Sequence, residues 1–235
     1  MLHNIVTPEC FDTLWVQQDY LNQQCLKLVI SKCLGFGVIA GAAVVKIPQI
    51  LKIVKAGSVE GLNPMMFILE TLCYTMTFAY NLANGYPFST YGENALLLVQ
   101  GWVLLYLLAS YNNKLNAVFF ASAAVYTGAC AAIFGGFVSL ELMALGQALT
   151  VPVISFSKIP QIMTNFSNKS TGQLAFITCF LNFLGCVARI FTTLTEVSDL
   201  VVLSSVVIST VLNGILFLQV VMYWGAQAKA DKKNK

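Results

Sequence analysis

Charge is what this chain lacks most. Only 10% of its 235 residues are Asp, Glu, Lys or Arg, against 57% hydrophobic, and the mean hydropathy is +0.75. Soluble domains carry about 25% charged and roughly 45–50% apolar residues, so the solvent of this chain is lipid. Histidine is nearly missing: His3 stands alone, which leaves no histidine triad and no histidine metal site. The seven cysteines show no metal-ligand spacing, and no nucleophile-elbow, Walker or dinucleotide-binding string occurs. There is also no basic stripe with interleaved aromatics, which a nucleic-acid partner would require. The expectation is a non-enzymatic protein with no metal, no cofactor and no nucleic-acid partner. A basic start followed by an apolar run is absent from residues 1–27, so no cleavable signal peptide is expected.

Long apolar runs are what is present. Seven can be separated, approximately 29–53, 64–82, 95–110, 115–137, 138–162, 174–194 and 200–224. Most reach the ~20 residues that cross a ~30 Å hydrocarbon core at about 1.5 Å per residue. Backbone polar groups cannot stay unpaired in lipid, and the runs lack the alternation of a barrel strand, so helices are expected. Asn63-Pro64 supplies an N-cap followed by proline at the first helical position.

One string occurs twice. Lys46-Ile47-Pro48-Gln49-Ile50 returns letter for letter as Lys158-Ile159-Pro160-Gln161-Ile162, and at the same offset of 112 (46 to 158) Ser58 and Leu62 fall on Ser170 and Leu174. Between the copies the chain crosses an even number of runs, so both copies point the same way. The predicted fold class is therefore an all-α membrane protein of seven transmembrane helices, arranged 3+1+3. Two parallel three-helix repeats are joined by an inverter helix, with the functional site between them. The expected segments are an N-terminal amphipathic piece (1–28), a first repeat (29–110), a linker helix (111–137), a second repeat (138–224) and a basic tail (225–235). Lysines collect on one side of this arrangement and carboxylates on the other, which puts the N-terminus in the lumen and the C-terminus in the cytosol. Two glycosylation acceptors, Asn165 and Asn168, fall in an expected cytosolic loop and should be unused.

Proline inside a helix lacks an N–H and clashes with the carbonyl four residues back, so Pro48 and Pro160 should kink or open their helices. Opened backbone beside the Gln49 and Gln161 amides is tolerated in lipid only where it lines a cavity or is buried in protein. Charges inside the spans are functional candidates by default. Glu70 lies about 9 Å from one boundary and Arg189 about 22 Å up, too far apart to pair. Lys46 is at the depth of Glu70. Glu70 is therefore expected to pair with Lys46 or Lys158, with Asn182 as its uncharged counterpart in the second repeat and Asn213 as a further polar partner. Snorkelling of the lysines to the headgroups is the competing reading. Lys46 and Lys158 would leave net positive charge. Arg189 would be a second cationic station, unless it pairs with Glu196 or reaches water. Cys10 and Cys25, the two cysteines of the lumenal segment, are either bridged or both free. Phe11, Leu14, Trp15 and Tyr20 suit that segment to the membrane interface. Lys232 and Lys233 stand four and three places from the carboxyl end, the spacing of a retrieval signal or of an ordinary basic tail.

Paired Pro-Gln motifs ending the first and fifth of seven spans resemble the PQ-loop superfamily, which includes cystinosin-like exporters, SWEET sugar carriers and, more distantly, KDEL receptors. Within it the strings Ser58-Val-Glu-Gly-Leu62, Thr171-Gly-Gln-Leu174, Ala188-Arg-Ile-Phe-Thr192, Asn213-Gly and Glu9-Cys-Phe-Asp12 are most similar to the mannose-P-dolichol utilization defect family. That resemblance covers nearly the whole chain. It implies an endoplasmic reticulum membrane protein needed to use dolichol-phosphate-mannose and dolichol-phosphate-glucose in N-glycan, GPI-anchor and related assembly. Membrane lipid, dolichol-linked sugars and endoplasmic reticulum glycosyltransferases are the implied partners. The resemblance also implies that the positive charge left by Lys46 and Lys158 would receive the phosphate of a lipid-linked sugar. A small-solute carrier of SWEET or cystinosin type and a sorting receptor are the alternatives. A proton-coupled carrier would carry acids beside its Pro-Gln motifs where lysines stand here, and a receptor pocket would need more lumenal cations than Arg189.

Overall fold

The structure is a computed structural model that describes residues 7–59, 62–169 and 176–223. Every regular element among them is helical. A short α1 (Pro8–Phe11) runs into a π-helical turn (Asp12–Val16). Then follow α2 (Gln23–Val45), α3 (Ile47–Ala56), α4 (Pro64–Ala83), a 3-10 turn (Phe88–Thr90) and α5 (Gly92–Tyr111). The chain continues through α6 (Ala117–Phe134), α7 (Leu140–Asn168), α8 (Phe176–Glu196) and α9 (Leu200–Met222).

Local chemistry sets the starts. Asn22, Asn63, Asn116, Ser139 and Asp199 each accept a backbone N–H of the first turn they precede, which satisfies donors the helix cannot reach. Left-handed residues end three segments: Gly57 (φ 58°) after α3, Lys169 (φ 47°) after α7, and Gly136 (φ 78°) in the link from α6 to α7.

The helices pack as a closed ring. α2 lies against α5 and α8, α5 against α4, α4 against α7, α7 against α9, and α9 against α8. In each trio the third helix thus sits between the first and second. The trios meet reciprocally, the second helix of one on the first of the other (α4 on α7, α8 on α2), as a twofold relation requires. α6 stands outside the ring and buries none of its residues. It touches α4, where the Thr75 and Tyr126 hydroxyls are 2.5 Å apart and Phe78 meets Phe134 edge-on at 6.0 Å.

Among the described residues six helices are long and apolar enough to cross a membrane: α2 with α3 as one run (Gln23–Ala56), α5, α6, α7, α8 and α9. The expected second span, α4, has the length, at 20 residues, but not the apolar character. It carries Glu70 and buries Thr71, Thr75 and Asn81, so its polar face is turned into protein.

Two further expectations change. α7 runs on to Asn168, so Asn165 and Asn168 belong to a helix rather than a loop, and Asn165 is buried against Gln219 at 3.1 Å. Its helix also continues through Pro160, whereas the first motif is broken at Lys46, between α2 and α3. The reason lies in the third helix of each trio. Gln100 of α5 accepts the Lys46 N–H (3.1 Å) and donates to the Ala42 and Ala43 carbonyls (2.8 and 3.2 Å), drawing the backbone out of its ladder. The residue 112 further on is Leu212, which has no amide to do this. Lys232, Lys233 and the string at 171–174 lie outside the described residues.

Candidate functional site

Polar side chains gather at two levels of the ring. At the motif end, α2 delivers Lys46, α4 delivers Glu70 and Tyr74, α7 delivers Lys158, and α9 delivers Asn213. Lys46 Nζ lies 2.6 Å from Glu70 Oε2, while the Tyr74 hydroxyl donates to the other carboxylate oxygen at 2.6 Å. The rings of Tyr74 and Phe67 flank the same ammonium at 5.3 and 5.9 Å. Lys46 is 8% exposed and fully engaged. Lys158 is not. Its ammonium donates to Asn213 Oδ1 at 2.9 Å and is half-buried. Glu70, with its side chain 41% exposed, is paired with Lys46 and forms no ion pair to Lys158. Two cations and one carboxylate leave this level positive.

Several expectations need correction here. Lys158 meets Asn213, not Asn182, which points outward and is exposed on α8. Helix order is the same in both trios, so what differs is that Asn182 is turned to the outside of α8 while Asn213 of α9 faces the α7 lysine. Gln49 is half-buried, Gln161 is exposed, and neither amide has a hydrogen-bond partner among the described residues; Pro48 and Pro160 are exposed beside them. The amides that hold the motif backbones come from the third helices: Gln100 at Lys46, and Gln219 at the Ile162 carbonyl (2.9 Å). The near-repeat of Gln100-Gly101 in Asn213-Gly214 was the sequence signal for α5 and α9 as the partners of the two motifs.

The far end of the ring holds a buried charge network. Lys32 of α2 bonds Glu196 of α8 at 2.5 Å and Ser89 Oγ at 3.0 Å. Ser31 also donates to Glu196. Arg189 of α8 pairs with Glu93 of α5 and donates to the Ser89 carbonyl at 2.8 Å. Arg189 is therefore committed to Glu93 rather than to Glu196 or water, because Lys32 already occupies Glu196. Two cations meet two carboxylates, so the charges of this network balance. Lys32 is the residue sequence reasoning missed; its signal was a lysine inside the first apolar run. Gly35 makes the arrangement sterically available. A Cβ there would stand 2.3 Å from the Ser89 carbonyl oxygen, so only glycine lets the 88–90 turn press on α2.

Beside the network, Asp199 caps α9 through the Val201 and Val202 N–H groups and accepts the hydroxyls of Tyr80 (2.6 Å) and Tyr86 (2.9 Å). Burial raises the Asp199 carboxyl, but those hydrogen bonds outweigh it and hold the carboxyl below its ordinary value. Tyr86 is pushed up to about 12, first by burial and then by its bond to Asp199. At the N-terminus the sulfurs of Cys10 and Cys25 are joined, with Cα atoms 5.1 Å apart.

Known proteins resemble this chain in both sequence and fold. Human solute carrier family 66 member 3 is 27% identical over 193 residues, covering 80% of this chain and 92% of that one. The solved structure of a eukaryotic SWEET transporter superposes with a TM-score of 0.63 at 14% identity, covering 83% of this chain and 99% of that one, which shows a shared fold. The PQ loop repeat model matches residues 30–90 and 146–202, which take in the first and the second Lys-Ile-Pro-Gln-Ile string respectively. Two matched copies, each holding one Pro-Gln motif and together covering half the chain, make this multi-pass membrane protein a member of the PQ-loop repeat family.

Proposed function

We propose that this protein binds a lipid-linked sugar phosphate, dolichol-phosphate-mannose or dolichol-phosphate-glucose, and presents or translocates it for N-glycan, GPI-anchor and related glycan assembly. On this reading it is a non-enzymatic, seven-span 3+1+3 protein of the endoplasmic reticulum membrane. Its N-terminus is lumenal, its C-terminus cytosolic, and glycosyltransferases are its protein partners. The observation that carries the reading is the asymmetry of the two motif lysines. Lys46 is neutralised by Glu70 and enclosed by Tyr74 and Phe67, whereas among the described residues Lys158 has the neutral Asn213 as its hydrogen-bond partner. An ammonium at the edge of a membrane ring, left without its own carboxylate, suits a phosphate arriving at headgroup depth on a chain that stays in lipid. The balanced network at the far end offers no comparable attraction, so the anion site is Lys158 and not Arg189. The Cys10–Cys25 disulfide supports a lumenal N-terminus, since disulfides persist in oxidising compartments.

The test is reconstitution of the purified protein in liposomes with short-chain dolichol-phosphate-mannose, alongside complementation of a deletion line. Lys158→Ala is expected to lose binding and rescue more completely than Lys46→Ala, both remaining folded and correctly localised. Full rescue by Lys158→Ala at normal expression removes phosphate binding at this site.

A small-solute carrier is the second reading, favoured by the similarity to a solute carrier and the SWEET-like fold. Lipid-linked oligosaccharide profiles of the deletion line separate the two. Mannose-poor intermediates are expected from the first reading only.

A further inference from the structure

The first described residues form a small closed unit. The disulfide ties Cys10 to Cys25, the third residue of α2, across a separation of 15. Leu14 is buried between the two cysteines, with Leu28 and Val29 of α2 packed against them. Phe11 and Trp15 stack at 5.4 Å between ring centres. Away from this miniature core the unit turns apolar side chains outward: Trp15 is 43% exposed, Val16 68%, Tyr20 61% and Leu21 86%. Exposed apolar residues then continue along α2 at a spacing of four, as Leu26, Ile30 and Leu34. That helix belongs to a run apolar enough to cross the membrane. The outward residues of the closed unit therefore stand where a lipid-facing stripe meets the headgroups. Tryptophan and tyrosine are enriched at this level, each with an apolar body and a polar tip.

Charge narrows the partner. Residues 7–25 hold Glu9, Asp12 and Asp19 and no lysine, arginine or histidine; the next cation is Lys27, exposed on α2 two residues past the disulfide. Helices that lie on anionic membranes carry lysine and arginine on their polar face, and this unit carries the opposite sign.

We propose that residues 7–25 are an interfacial anchor. The disulfide holds Trp15, Val16, Tyr20 and Leu21 in the headgroup boundary of the leaflet where α2 begins, and the acidic face selects a zwitterionic over an anionic surface. Lipid is the occupant because the exposed patch continues into the lipid-facing stripe of α2. The disulfide is the necessary clamp because, besides the chain itself, it is the covalent tie that fixes the unit to the first turn of that helix.

The experiment uses the full chain with Trp102→Phe and Trp224→Phe, so that Trp15 reports alone, in phosphatidylcholine vesicles bearing shallow or deep doxyl labels. Expected is strong quenching by the shallow label, weaker quenching by the deep one and protection from aqueous acrylamide. Partial replacement of phosphatidylcholine by phosphatidylserine should weaken the shallow quenching. Reduction with dithiothreitol should transfer Trp15 to the acrylamide-accessible population while helical content by circular dichroism stays constant. The reduced sample is the same protein that was measured oxidised, so misfolding of a cysteine variant cannot imitate the result. Acrylamide access in the oxidised protein overturns the anchor. Protection from acrylamide and from both lipid labels also overturns it, since a protein surface then covers the patch. Shallow quenching that survives reduction overturns the role of the disulfide, and quenching unchanged by phosphatidylserine overturns the charge selection.

Discussion

Lys46 and Lys158 sit in identical five-residue strings, and their neighbours give them different work. Removing the Glu70 carboxylate leaves Lys46 buried without a counter-charge, so Glu70→Gln should destabilise the protein. Adding Lys46→Met to Glu70→Gln should then cost less than the sum of the single changes. Thermal unfolding in detergent should show a coupling of about 1 kcal/mol or more, and strictly additive effects would deny the pair. At the far end Glu196 accepts from three side chains, Ser31, Lys32 and Ser89, while the side-chain donor to Glu93 among the described residues is Arg189. Glu196→Gln is expected to cost on the order of 3–5 kcal/mol, as breaking one partner of a buried pair does, and more than Glu93→Gln. Asp199 gives a pH signature. Its folded carboxyl is held down, so its contribution is present above the unfolded value near 3.8 and disappears as pH falls through the lower folded value. Tyr80→Phe with Tyr86→Phe should lower stability at neutral pH, and the gap to the parent should close below pH 3.8. A gap constant across that range would remove the hydrogen bonds as its cause.

Helices here are shaped by what neighbouring helices offer their backbones. Gln100 takes the Lys46 N–H and divides α2 from α3, and Leu212 leaves α7 whole although both copies hold proline. Gln100→Leu should let α2 and α3 straighten. Spin labels at Leu34 and Val54, both exposed, should then move towards the roughly 30 Å that 20 residues of unbroken helix span. An unchanged distance would assign the break to Pro48 instead. Gly35 works at the same scale: Gly35→Ala forces the Ser89 turn away from α2 and should destabilise by about 1–3 kcal/mol, read as a lowered melting midpoint. Most of the helices were legible in the sequence because span length and apolar composition are local properties. So was the Lys46–Glu70 pair, because both residues sit at one depth only 24 positions apart. The partner of Lys158 was not, since it depends on Asn182 facing out of the ring and Asn213, 55 positions from the lysine, facing in. Nor was the Lys32–Glu196 bond, between residues 164 apart that meet only when the ring closes. The amides that hold the motif backbones, Gln100 and Gln219, were not legible either, since they lie 54 and 57 positions from the groups they bond.

As a whole, the molecule closes on itself through two reciprocal seams, α4 on α7 and α2 on α8, and each end of the ring carries its own electrical character. One end is positive and partly open through Glu70; the other holds a buried network whose charges balance, bonded across α2, α5 and α8. α6 belongs to neither seam. With no buried residue and limited contact to α4 and α5, its main contribution to the ring is the covalent path it provides between the trios. A tether of that kind acts by raising the local concentration of one half near the other. The peptide bonds around Asn113, where the backbone turns left-handed (φ 54°), are then dispensable once both halves are held in the same bilayer. Two separately encoded fragments divided there should find each other and restore the function of the unbroken chain, and the deficit at low expression should measure how much of the assembly was owed to mere connection.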